Sequence, residues 1–457
     1  MDKNKISKLG LWCYTLGGAI GAGMFVTLPA AIEVTGLSIV LAIVATSIIC
    51  FFAYWYCAAI SSFASVKGGD YGHIAFVSSP LISGVFGITV IFYVVSNCTY
   101  ATGALDYAGY ALPFLKDNMM LWGVMLMTAF ILIDAMGAKL GSKVSTAMTV
   151  TLTLGIILFI VMGLPHCDFG TMFAGAGESG EPFFKNGFSG FSQAIGYCIW
   201  VVGGIGTCAI TFSRNVKNPT KAVPQAIVAI TVILGIIACL LCVVCVGAVP
   251  MDIAAQGLGA VAMETMPKMM FFAFAIGAGA FALLTSLQTF IAGYREGLLE
   301  YAEQGFLPKI FTKKTKGGYP YVVGIFIWLL SVVPFVMGIT LDTIVAYTGA
   351  PVYFCYMYVN WKCMKLPEQY PDLWKKSMFH MPVALWKGLC IFATACAAYL
   401  VYCYCAGFTL RGYIEMAATI GAMFLYAWYR MKKGHVDVKA MEAEKAEIIA
   451  EAISYEG

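Results

Sequence analysis

Twelve apolar stretches divide this chain, each about the 20 residues that a helix needs to cross a lipid bilayer. They run over 9–34, 37–64, 80–112, 119–138, 142–164, 188–213, 222–249, 268–302, 320–339, 341–363, 384–406 and 408–431, here numbered spans 1 to 12. The expected fold class is an all-α membrane protein of about 12 transmembrane helices. Composition agrees: 60% of residues are hydrophobic and only 11% charged, where soluble chains carry about a quarter charged. Charge placement orients the bundle. With the N-terminus inside, 24 of the 28 Lys and Arg residues fall in inner loops and tails. Only Lys116, Lys185, Lys268 and Arg411 fall outside. That asymmetry fits an even number of spans with both termini cytoplasmic. The net charge of +4 follows from this topology and gives no reason to expect nucleic-acid binding.

Span 1 is interrupted where it should be continuous. Gly17, Gly18, Gly21 and Gly23 place four glycines in seven residues, each costing about 1 kcal/mol of helix stability. Backbone groups freed inside a bilayer need other partners, and such breaks persist where the open backbone lines a cavity. The alternative is close helix packing through small residues. Span 6 repeats the pattern, with Gly203, Gly204 and Gly206 within four residues. Spans 1 and 6 begin the two halves of a five-plus-five arrangement, the first about 9–164 and the second about 188–363. Paired interruptions at corresponding positions point to a binding site near the membrane midplane. Two unrelated clusters in a chain of 48 glycines is the competing reading. Spans 11 and 12, about 384–431, complete a single membrane domain over 1–431, and 432–457 forms a polar tail. Val436, Met441, Ile448, Ile449 and Ile453 give that tail helical spacing. The loop 165–187, with Asp168, Glu178 and Glu181, is expected to be a surface loop.

Other chemistry is thin. The sixteen cysteines lie mostly inside apolar runs and the four histidines form no cluster. Buried free thiols are expected, with no metal or disulfide framework. No Ser/His/Asp or Cys/His set can be placed at one depth, so no enzyme is expected. The first run is followed directly by further spans, and no cleavable leader is expected.

Several short motifs occur in a telling order. Ile20-Gly21-Ala22-Gly23-Met24-Phe25 precedes Pro29 in span 1, and Gly68-Gly69-Asp70-Tyr71 follows span 2. Val216-Lys217-Asn218-Pro219-Thr220-Lys221-Ala222-Val223-Pro224 follows span 6. Arg295, Gly305-Phe306-Leu307-Pro308 and Tyr319-Pro320 follow in turn. Over roughly residues 10–320 the chain resembles the amino acid–polyamine–organocation (APC) transporter superfamily. The resemblance implies a LeuT-type inverted repeat with broken helices 1 and 6. It implies a small-molecule substrate, an amino acid or related amine, carried across the plasma (inner) membrane.

An amino acid's carboxylate and ammonium each cost several kcal/mol to bury unpartnered. The break in span 1 offers N–H groups at Gly21, Ala22 and Gly23, beside Ile20, for the carboxylate. The break in span 6 offers carbonyls at Ile199, Trp200 and Gly203 for the ammonium. Similar transporters use the matching segments in these ways. Trp200 either caps the substrate's side chain or packs. Phe290 matches a stacking aromatic of related exchangers, or is an ordinary core residue. Tyr93 and Asn97 stand one helical turn apart on span 3. Asn97 matches a substrate-facing asparagine, or bonds to a neighbouring helix. Thr207 departs from the glutamate often found in this part of span 6. No charged residue lies within either break, and Asp106 and Asp134 lie away from both, so a neutral amino acid is favoured.

Ala282-Leu283-Leu284-Thr285-Ser286 resembles the span-8 half of a sodium site in sodium-coupled relatives. Its implied ligands are the carbonyls of Gly17, Ile20 and Ala282 with the hydroxyls of Thr285 and Ser286. All are oxygens, as a hard cation prefers. Proton-coupled or uncoupled relatives often carry a lysine on span 5; none occurs over Ala147–Gly155. The alternative is that both hydroxyls bond back to helical carbonyls. Expected overall is a secondary active, sodium-coupled amino acid symporter embedded in lipid, with sodium as coupling ion and no other cofactor. A sodium-independent amino acid/amine exchanger is the near alternative, and a non-transporting membrane amino acid sensor the remoter one.

Overall fold

The computed structural model describes residues 6–170, 182–337, 341–405 and 408–454, excluding the side chains of Ala22, Ala138, Lys139, 341–348 and Ser454. Residues 171–181 of the expected surface loop therefore lie outside the described residues. Each apolar run carries helix. Among the described residues seven helical stretches are long and apolar enough to cross a membrane, and one of them, 8–53, carries span 1 and the first part of span 2. Met119–Ala135 and Tyr321–Met337 are shorter apolar helices. Leu341–Cys363 and Leu410–Lys432 supply spans 10 and 12. The last is less apolar because it carries Arg411, Glu415, Arg430 and Lys432. Among the described residues the only extended pairing is a single bridge between Ile6 and Val216.

Local chemistry starts and ends these helices. The Ser7 side chain accepts from the Gly10 N–H and caps span 1. Pro80 opens span 3 and Pro219 opens span 7, where a missing N–H costs nothing. Leu41, Ile48, Leu154, Ile157, Val232 and Ile236 all point outward. Water would not tolerate such a belt, and lipid requires one.

Shorter helices lie between the spans. Gly69–Val77 follows span 2, and Gly68 and Gly69 both adopt positive φ (79° and 53°) to turn the chain into it. This turn sets the direction of Asp70. The first helix of span 1 packs against spans 5 and 8 and the second helix of span 6. The first helix of span 6 packs against span 2 and the second helix of span 1. The two interrupted spans therefore lie at the centre of the bundle.

Both ends of the described chain sit on one face. The Ile6 N–H donates to Asn215 O at 2.6 Å. The tail helix Val438–Ser454 places Glu444 2.6 Å from Lys67 Nζ and Glu451 3.2 Å from Arg214. This is called the terminal face below. Deeper in, Arg295 Nε of span 8 meets Asp134 Oδ2 of span 4 at 2.8 Å, and its guanidinium lies over the Tyr319 ring. That pairing keeps a buried carboxylate compensated. All sixteen cysteines are free thiols, most of them buried.

Candidate functional site

Both glycine clusters are breaks. The first helix of span 1, Lys8–Ala22, leaves helical geometry at Gly21 (φ −26°, ψ −129°). A wide π-type turn follows over Gly23–Thr27, and the helix resumes at Leu28–Thr35. In span 6, Gly187–Val202 ends at an extended Gly203, and Gly204 is left-handed (φ 74°) before Ile205–Ile210. A side chain at Gly204 would be strained.

The breaks touch each other. A Cβ placed on Gly23 would lie 1.7 Å from Trp200 O and 2.3 Å from Val201 N. One placed on Gly21 would lie 2.0 Å from Ser286 Oγ. The Thr27 hydroxyl donates to Tyr197 O at 3.1 Å, and the Tyr107 hydroxyl to Phe25 O at 3.3 Å. These contacts seal the bundle on the side away from the terminal face.

On the other side of the seam lies a cavity of about 110 Å³. Gly21, Ile199, Trp200, Gly203, Tyr93 and Phe290 all line it, as do Gly18, Ser286 and Tyr100. The Phe290 ring stacks between Tyr100 (5.3 Å) and Tyr294 (5.9 Å). The Gly203 N–H donates to Ile199 O at 2.8 Å, leaving that carbonyl one lone pair. The Trp200 indole N–H is buried in the wall beside the Tyr404 hydroxyl. Two expected residues are not on the wall: Ile20 is buried in the packed core, and Gly23 serves the contact with Trp200. The Ala22 side chain lies outside the described residues.

Asn97 is placed elsewhere. Its amide donates to Ser331 Oγ of span 9 at 3.0 Å, off the cavity wall. Between Pro80–Val94 and Asn97–Gly109 the backbone stays helical through Val95 and Ser96 but winds more tightly, with the Val95 N–H donating to Phe92 O and the Ser96 N–H to Tyr93 O. Tighter winding turns Asn97 off the face that Tyr93 occupies. Asn97→Ala should therefore lower stability by about 1 kcal/mol, the worth of one buried hydrogen bond. It should leave substrate affinity unchanged in a ligand-induced thermal shift.

A cluster of oxygens joins span 1 to span 8. The Thr285 hydroxyl lies 2.8 Å from Gly17 O, 2.8 Å from Ala282 O and 2.9 Å from Phe281 O. The Ser286 hydroxyl lies 2.8 Å from Gly18 O and 3.3 Å from Gly17 O. Gly17, Ala282, Thr285 and Ser286 thus come together. Where Ile20 was expected, the structure has Gly18, because Ser286 reaches span 1 about one turn ahead of the break at Gly21. Thr149 of span 5 stands alongside: a Cβ on Gly17 would lie 2.3 Å from its hydroxyl oxygen. An all-oxygen set of this kind suits a hard monovalent cation. To ligate one, both hydroxyls must turn their protons away from the carbonyls.

The sequence reading missed a large part of the cavity's wall. Tyr54, Tyr353, Tyr356 and Tyr404 line it, and so does Asp70. Tyr54 and Tyr353 share a hydrogen bond at 2.9 Å. Tyr56 and Tyr356 each donate to one Asp70 oxygen, the latter at 2.9 Å. Asp70 lies outside the spans, in Gly69–Val77. Burial pushes its carboxyl up to about 6, against the lowering effect of the two tyrosine donors. The only signal in the sequence was the Gly68-Gly69-Asp70-Tyr71 motif, which marks the residue without locating it.

A helical membrane bundle opened at two spans around a small aromatic-walled cavity is the build of a solute permease. The chain belongs to the amino acid permease family, whose sequence model matches residues 6–426, and so to the APC superfamily. It is similar to an uncharacterized amino acid permease, YvbW, of Bacillus subtilis strain 168, with 23% identity over 342 residues. That match covers 70% of this chain and 72% of the relative. It is also similar to the probable threonine/serine transporter YbxG of the same organism, with 24% identity over 371 residues, covering 75% and 74%. The protein is a multi-pass amino acid permease and not an enzyme.

Proposed function

We propose that this permease is a sodium-coupled symporter of a neutral amino acid, working by alternating access in a LeuT-type fold with both termini cytoplasmic. The observation that carries the reading is the oxygen cluster between Gly17 and Gly18 of span 1 and Thr285 and Ser286 of span 8. A cation there would hold the two spans together in one state and release them in another. The break in span 1 suits the carboxylate and the span-6 carbonyls suit the ammonium, with Trp200, Tyr93 and Phe290 against the side chain. Neither break carries a charged residue, which supports a neutral substrate. The printed description of YbxG, a probable threonine/serine transporter, points the same way.

Uptake of a panel of radiolabelled amino acids into proteoliposomes tests this. Accumulation should follow an inward sodium gradient and collapse when potassium replaces sodium. Equal uptake in both ions would remove sodium coupling and leave transport standing. One observation favours a second reading. Both hydroxyls reach backbone carbonyls directly, and such Ser and Thr pairing with helical carbonyls would also serve a sodium-independent exchanger. Counterflow driven by internal substrate alone, in sodium-free buffer, would favour the exchanger.

A further inference from the structure

We propose that Asp70 is a proton-binding site of the transport cycle, set in the cavity wall between the two breaks and the terminal face. The inference goes beyond sodium coupling and rests only on the cavity being the transport path.

Position comes first. The wall that includes Gly21, Gly203 and Gly204 also includes Asp70. Gly69 packs against Thr211, eight residues along span 6 from Gly203. Only the short helix Ile205–Ile210, about 9 Å long at 1.5 Å per residue, separates that contact from the break.

Charge comes second. Among the described residues Asp70 is the only Asp, Glu, Lys or Arg on this wall, and no ion pair to it occurs. Lys67, nearest in sequence, is committed to Glu444 and Glu300. The groups facing Asp70 are phenols and thiols: Tyr54, Tyr56 and Cys57 of span 2, Tyr93 of span 3, Tyr294 of span 8, and Cys355 and Tyr356 of span 10. His73, on the same short helix, bonds Ser61 and Gly69 O, and burial lowers it to about 4, so it stays neutral. A structural buried carboxylate in this chain looks different: Asp134 has Arg295 at 2.8 Å.

Chemistry names the cation. A sodium ion needs several oxygens offering lone pairs. Both tyrosines instead aim their protons at Asp70. What remains open on the carboxylate is a lone pair toward the cavity, enough for one proton. Protonation has a mechanical consequence. The ionised carboxylate accepts from Tyr56 of span 2 and Tyr356 of span 10 together. Once protonated, the carboxyl is a weaker acceptor than the carboxylate, so both tyrosine bonds weaken and the tie between these spans at the cavity's end loosens. The position of the carboxyl, about 6, lets it change state in the range a cell can reach.

The test is infrared titration of the purified full-length protein, with Asp70→Asn and Tyr356→Phe beside it. Wild type should show a protonated-carboxyl band with a midpoint near 6 that is missing in Asp70→Asn. Tyr356→Phe should move that midpoint upward, because it removes a donor to the ionised form. In L-threonine counterflow at matched internal and external pH, wild type should speed up about 25-fold between about pH 7.5 and 5.5, as the protonated fraction rises from about 3% to about 76%. Asp70→Asn should be flat and near the low-pH rate. A wild-type carboxyl that titrates only in the ordinary Asp range overturns the proposal, as does an Asp70→Asn counterflow profile that still follows pH. Failure of wild type to move any amino acid at any pH would sink the transport reading, and the infrared titration would still decide Asp70.

Discussion

Replacing Gly23 by alanine is expected to abolish transport in a protein that still inserts and folds. The added methyl would lie 1.7 Å from the Trp200 carbonyl oxygen and 2.0 Å from its carbon. These are backbone atoms, so no side chain can swing aside. Overpacking of this kind costs about 1–3 kcal/mol where the structure can yield. Here it yields only by driving the breaks of spans 1 and 6 apart, and those breaks are the proposed binding surface. A displacement of about 1 Å at a preorganised polar site is enough for a hundredfold loss. Uptake into proteoliposomes should therefore fall at least about a hundredfold, with a near-normal gel-filtration profile. Gly388→Ala in span 11 is the control, since nothing lies within 4 Å of its added methyl, and it should transport normally. Normal uptake by Gly23→Ala would show that the two backbones need not meet.

Thr285→Val should separate sodium from substrate. Valine keeps the branched shape and removes the hydroxyl that lies 2.8 Å from both Gly17 O and Ala282 O. Loss of one such hydrogen bond costs about 1 kcal/mol of stability. The larger effect is on the cation: one ligand of the oxygen set is gone and an apolar methyl replaces it. Half-saturating sodium for uptake should rise at least about tenfold, equivalent to about 1.4 kcal/mol. The sodium-induced rise in melting temperature should disappear. Binding of the amino acid in sodium-free buffer should change little. An unaltered sodium response in this variant would take the cation away from the cluster.

Much of the architecture was legible because bilayers impose a simple rule on length and polarity. Each long apolar run became helix, and each glycine cluster contains a break, at Gly21 and at Gly203 and Gly204, while Gly17, Gly18 and Gly206 serve close packing within helix. Trp200 was found beside the span-6 break, Phe290 through its match to a stacking aromatic of related exchangers, and Tyr93 only as the neighbour of Asn97. The tightened turn at Val95 and Ser96 was hidden: it contains neither glycine nor proline, and it turns Asn97 toward Ser331. The tyrosine wall was hidden for another reason. Tyr54, Tyr353, Tyr356 and Tyr404 belong to spans 2, 10 and 11, and only tertiary packing brings them to one cavity. Asp70 was visible as a motif letter. Its direction depends on two left-handed glycines and on hydroxyls from spans 2 and 10, which no local pattern encodes.

A cryo-electron microscopy structure with a transported amino acid and sodium present tests the central claim most directly. The expected map shows the amino acid between Gly21 and the carbonyls of Ile199 to Gly203, with both spans still open there. Density for the amino acid anywhere else in the bundle, or spans 1 and 6 closed into continuous helices around an empty centre, would contradict it.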